Sequence, residues 1–131
     1  MPLANACPKP EKTRYLRKAE QVAAIAANER EVYAQVTERD GSSCRVCGKF
    51  GNPRAVGLLQ KMHHHHLIYR SAGGETTTAN TCLLCAACHD AEHRHVLQLS
   101  GNADERNEMG KLCGITVTRE TEAGWQVEKV C

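Results

Sequence analysis

From residue 11 to about 39 the chain is rich in Ala, Glu, Gln, Arg and Lys and carries neither Gly nor Pro. Tyr15, Ala19, Val22 and Ala26, then Tyr33 and Val36, fall at three- and four-residue steps, the period of an amphipathic helix or of two with a break near Asn28. The apolar face is mostly alanine, which predicts close packing and a modest contribution to stability. Lys12, Arg14, Arg17, Lys18 and Arg30 lie on the exposed face, free to meet a polyanion or nothing at all. Before this helix, Pro2, Pro8 and Pro10 predict a flexible leader over residues 1–10. After it, Asp40-Gly41 is a stop.

Residues 56–61 are short and moderately apolar, which predicts a strand leading into the histidine run His63-His64-His65-His66. Ser71 to Gly74 reads as a turn. A second helix is expected from near Cys85 to about Leu99, with Asp90 and Glu92 early in it and Gly101 as its stop. Residues 104–111 predict a short helix. Residues 115–119 and 125–130 alternate around Glu122-Ala123-Gly124 and predict a terminal hairpin. The sum is one small α+β domain: a helical arm over residues 1–38, a core over 39–100, and an extension over 101–131.

With 131 residues, one Trp, one Phe and three Tyr, such a core is poor in aromatic bulk. Small cores of this kind need disulfides or a metal. Eight cysteines offer either. Neither a secretory signal nor a run of membrane-spanning length is visible, so a cytoplasmic, reducing compartment is expected, where paired cysteines bind metal more often than they cross-link. Net charge is only +2, but residues 1–70 carry twelve Lys and Arg against six Asp and Glu. A basic half of this kind suits a polyanion, or is simply a set of solvated helix faces.

Cys44 and Cys47 form one Cys-x-x-Cys pair, and Cys85 and Cys88 another. Two such turns complete a closed tetrahedral thiolate site for structural Zn²⁺. Cys82 and Cys85 share the spacing, but Cys85 with Cys88 places His89 at the start of the helix that carries His93. Cys7, Cys113 and Cys131 lie outside any pair and are read as free thiols. His89 and His93, four apart on a helix, project from one face and suit a single metal, with a third ligand from the histidine run.

The line Arg39-Asp-Gly-Ser-Ser-Cys44-Arg-Val-Cys47-Gly48, His65-His66-Leu67, Gly73-Gly74, Asn80 and Leu84-Cys85-Ala-Ala-Cys88-His89-Asp-Ala-Glu-His93 resembles the HNH endonucleases, the ββα-metal (His-Me finger) nucleases. The resemblance spans residues 39–93. It implies a ββα-metal core stapled by a zinc on four cysteines, and it selects His65 and His66 from the four histidines. By it, His66 is the general base, Asn80 orients His66 and the loop between the strands, and His65, His89 and His93 hold one divalent ion. Mg²⁺, Mn²⁺, Ni²⁺, Co²⁺ and Zn²⁺ all suit that set. His63 and His64 are then extras, phosphate contacts or solvated neighbours. Two departures affect packing: Tyr69 stands where the family often has proline, and Thr81-Cys82 where leucine is common.

The implied activity is hydrolysis of DNA phosphodiester bonds, with 5′-phosphate and 3′-hydroxyl products. The alternative is a catalytically silent, zinc-stabilised nucleic-acid-binding module; a Cys-x-x-Cys redox protein lacks its βαβ context. DNA is the expected partner, with no membrane. A lone active site would naturally nick one strand, and double-strand cutting would suggest a homodimer rather than a monomer. Small nucleases of the family occur in phage packaging, restriction and homing systems, which suggests a packaging or specificity partner.

Overall fold

A computed structural model describes residues 10–51 and 61–130, with side chains described at 15–51 and 61–128. The elements in order are α1 (Pro10–Asp40), β1 (Met62–His66), a 3-10 turn (Arg70–Ala72), β2 (Thr81–Cys85), α2 (Ala86–His93), β3 (Leu97–Gly101), β4 (Ile115–Thr121) and β5 (Gly124–Val130). The fold is α+β, as expected. The expected leader, apart from Pro10, and residues 56–60 of the expected strand lie outside the described residues.

The chain divides into two compact units at Glu31 and Val32. The first contains the helix up to Glu31, continuous through Asn28. Its apolar positions are not packed as expected: Tyr15 is 73% exposed and Val22 59%.

The second unit holds the core. Its stretch of α1 buries Val32 and Val36 and stops where Asp40-Gly41 predicted. Gly41 is left-handed at φ 63°, the Ser42 amide returns to the Thr37 carbonyl, and the Gly41 amide to that of Glu38. That is the glycine-closed helix end.

Strand β1 pairs antiparallel with β2, His65 opposite Cys82 and His66 opposite Thr81. All five residues of β2 are buried, and Leu83 and Leu84 are fully so. This apolar strand fixes the histidine run as its partner. β3, β4 and β5 form a second antiparallel sheet in that order, and Leu97, Leu99, Ile115 and Val117 complete the core. The predicted terminal hairpin is therefore present, with one strand more.

Three expectations are corrected. The second helix ends at His93 rather than Leu99. His95 is left-handed at φ 59°, its amide bonds the Glu92 carbonyl and the Val96 amide that of Ala91, so the chain turns into β3. Residues 104–111 form no helix: the Asn107 side-chain oxygen accepts from the Met109 and Lys111 amides, and Gly110 turns the chain at φ 79°. Cys113 is disulfide-bonded rather than free, to a partner outside the described residues.

Candidate active site and metal centre

The four paired cysteines converge as their spacing predicts. The sulfurs of Cys44, Cys47, Cys85 and Cys88 all lie within 4.8 Å of one another. Four thiolates about 2.3 Å from a tetrahedral zinc would stand roughly 3.8 Å apart; the Sγ atoms of Cys47 and Cys85 are 3.6 Å apart. The loop is built for this, with the Gly48 amide bonding the Cys44 carbonyl and the Arg45 amide bonding the Leu83 carbonyl of β2. A hydrogen bond from Cys88 and several from backbone amides push the Cys44 thiol down to about 4 despite its burial, favouring the thiolate that metal binds. Cys82 is not in the cluster. It is buried in β2, and burial pushes its thiol up to about 12.

Beside the knuckle, β1 presents histidines alternately to its two sides. On one side His65 approaches α2, its ring centroid 6.0 Å from that of His89 and 6.4 Å from that of His93. The Nε2 atoms of His89 and His93 are 3.1 Å apart, which requires either a shared proton or a shared cation. His65 is 4% exposed, and its Nε2 is buried without a hydrogen-bond partner. Burial, followed by the neighbouring histidines, pushes both His65 and His89 down to about 4, so both rings are neutral at physiological pH. Neutral imidazoles are of a chemistry suited to a divalent ion, but among the described residues only the four cysteines bring three or more donor atoms within 4.8 Å of one another. His63, expected to be an extra, stacks on His89 with centroids 4.3 Å apart.

On the other side His66 Nε2 lies 2.9 Å from Thr76 Oγ1, and Arg70 Nε donates to it at 3.5 Å. Arg70 also donates to the Tyr33 hydroxyl at 2.9 Å. His64 shares this side. Its ring stacks on Tyr33 at 4.3 Å, and its Nε2 lies 3.0 Å from Thr37 Oγ1.

Asn80 secures the loop between the strands. Its side-chain oxygen accepts from the Ile68 amide, and its amide group donates to the Ile68 and Glu75 carbonyls. In the same loop Gly74 tolerates no side chain, because a Cβ there would overlap the Ile68 carbonyl oxygen. Arg70, Thr76, Glu92 and the Tyr69 hydroxyl escaped the sequence reading. Only Arg70, one helical turn's length beyond His66, stands near enough in sequence to invite attention.

The family model for HNH endonuclease matches residues 44–95, the stretch from the first zinc cysteine to the turn that closes α2. The segment is thus similar to the HNH endonuclease family, its four-cysteine cluster fits the zinc-binding variant, and β1, β2 and α2 fit a ββα core. No curated protein and no solved structure matches the chain. Among the described residues no helix is long and apolar enough to cross a membrane.

Proposed function

We propose that the chain is a metal-dependent endonuclease that hydrolyses DNA phosphodiester bonds, with His66 as general base. The observation that supports this most is the division of β1. Consecutive histidines face a three-imidazole cluster on one side and a Thr76–Arg70 pair on the other.

In this reading His66 Nε2 takes a proton from water, as a neutral imidazole is suited to do. The hydroxide attacks phosphorus in line, the 3′ oxygen leaves and takes a proton from solvent water, and the products carry 5′-phosphate and 3′-hydroxyl ends. Arg70, beside the base, pairs its planar guanidinium with the phosphate under attack. Asn80 acts by holding the loop that carries Arg70 and Thr76. His65, His89 and His93 would hold one divalent ion, which supplies Lewis-acid stabilisation of charge on the phosphoryl and leaving oxygens. Arg17, Lys18 and Arg30, all exposed on α1, offer further contacts to the phosphate backbone.

Incubation of supercoiled plasmid with the zinc-loaded protein tests this, with Mg²⁺, Mn²⁺ or Ni²⁺ and with chelator. Metal-dependent conversion to open circles bearing 5′-phosphate ends is expected. A folded, zinc-bound protein that shifts DNA in a gel but cuts with no metal would instead be the binding module.

A further inference from the structure

Two acids are buried among the described residues, Asp40 and Glu92. Asp40 has cationic partners, since Arg39 and Arg45 each bond it. Glu92 is different. It is 5% exposed, its Oε1 accepts from the Tyr69 hydroxyl, and its Oε2 lies 3.7 Å from Nδ1 of His65. A carboxylate buried against a neutral imidazole and a phenol is costly unless it serves a site.

Its position suggests which. The two nitrogens of an imidazole lie on different edges of the ring, and the proton on one leaves the other as a lone pair. At 3.7 Å the Glu92 Oε2 stands beyond hydrogen-bond length and has no hydrogen-bond partner of its own, so it favours a proton on the Nδ1 edge of His65 through charge rather than through a formed bond. The other nitrogen, Nε2, is the buried atom that has no partner within the protein. Both ring nitrogens are thereby accounted for if Nε2 faces a cation.

We propose that Glu92, steadied by the Tyr69 hydroxyl, is a positioning residue that keeps His65 protonated on Nδ1 and so presents Nε2 to the ion shared with His89 and His93. The inference rests on the metal-dependent reading above. It also gives Tyr69 a task in the chemistry of the site, where the sequence suggested only a change of packing. Carboxylates bonded to the far nitrogen of a histidine ligand fix its tautomer and raise its basicity, and losing one typically costs about 10–100-fold in metal affinity.

The test is calorimetric titration of the zinc-loaded protein with Ni²⁺, for wild type, His65→Ala, Glu92→Ala, Glu92→Gln and Tyr69→Phe. Zinc content and circular dichroism serve as controls for folding. Nickel affinity should fall by roughly 10–100-fold in Glu92→Ala. Glu92→Gln, which keeps an acceptor, should lose less, and Tyr69→Phe less again. In the metal-free wild type, long-range proton–nitrogen NMR should show His65 protonated at Nδ1 and bare at Nε2. Glu92 variants that bind nickel as wild type does, while His65→Ala does not, would overturn the proposal. So would a proton on Nε2 in the wild-type spectrum, which stands even if Glu92→Ala does not fold. A His65→Ala protein with wild-type nickel affinity would instead remove the underlying metal reading.

Discussion

His65 and His66 are adjacent in sequence and share one strand, yet they serve opposite sides of it. His65 reaches toward His89 on α2, and His66 reaches toward Thr76 in the interstrand loop. The pleat of a strand is enough to produce this separation. On the proposed reading it lets a single dipeptide supply a metal ligand and a base without placing them in competition for one ion.

The zinc register gives a direct prediction. Cys82 and Cys85 are spaced like Cys85 and Cys88, but only the latter pair meets Cys44 and Cys47. Cys82→Ala should therefore retain one zinc per chain, whereas Cys85→Ser should lose it and unfold the second unit. A zinc-release assay with far-UV circular dichroism separates the two. Native Cys82 should also resist alkylation, because its buried thiol stays protonated at neutral pH.

Asn80 makes three side-chain hydrogen bonds within the loop. At a net contribution of about 1 kcal/mol each, Asn80→Ala should destabilise the protein by roughly 1–3 kcal/mol. Asn80→Asp keeps the acceptor for the Ile68 amide but loses both donors, so it should fall between wild type and Asn80→Ala. Urea denaturation measures the stability, and cleavage should decline in the same order.

Acid stability should depend on Asp104. Burial alone would push its carboxyl up, but the Thr78 hydroxyl and the Arg39 guanidinium outweigh that and hold it below its ordinary value near 3.8. Below pH about 4 the unfolded chain then binds more protons at this position than the native one. The contribution is complete above that value and is lost as pH falls through the lower native pKa. Asp104→Asn should flatten the acid limb of the stability–pH curve measured by denaturant titration, and leave its slope near neutral pH unchanged.

The sequence was most legible where geometry is local. Two Cys-x-x-Cys turns, a His-x-x-x-His helix face and Asp40-Gly41 each carry their conformation within a few residues, and each lies where expected. The histidine strand was harder to see. Four consecutive histidines show no apolar alternation, and they form β1 because the fully buried β2 pairs with them. The end of α2 was hidden for a related reason: a histidine at position 95 takes the left-handed conformation usually given to glycine. Glu92 and Tyr69 are 23 residues apart in sequence, and no spacing rule joins them. The bond at Cys113 was equally invisible, because the reducing compartment inferred for the chain argued against it.

The central claim is that His66 does chemistry and His65 holds the ion. It is tested most directly by measuring plasmid cleavage and nickel affinity on the same preparations of His66→Ala and His65→Ala, each with its zinc content verified. His66→Ala should bind nickel as wild type does and lose about 10²–10⁴-fold in cleavage rate, the usual worth of a general base. His65→Ala should lose both. A His66→Ala protein that cuts at the wild-type rate would contradict the account.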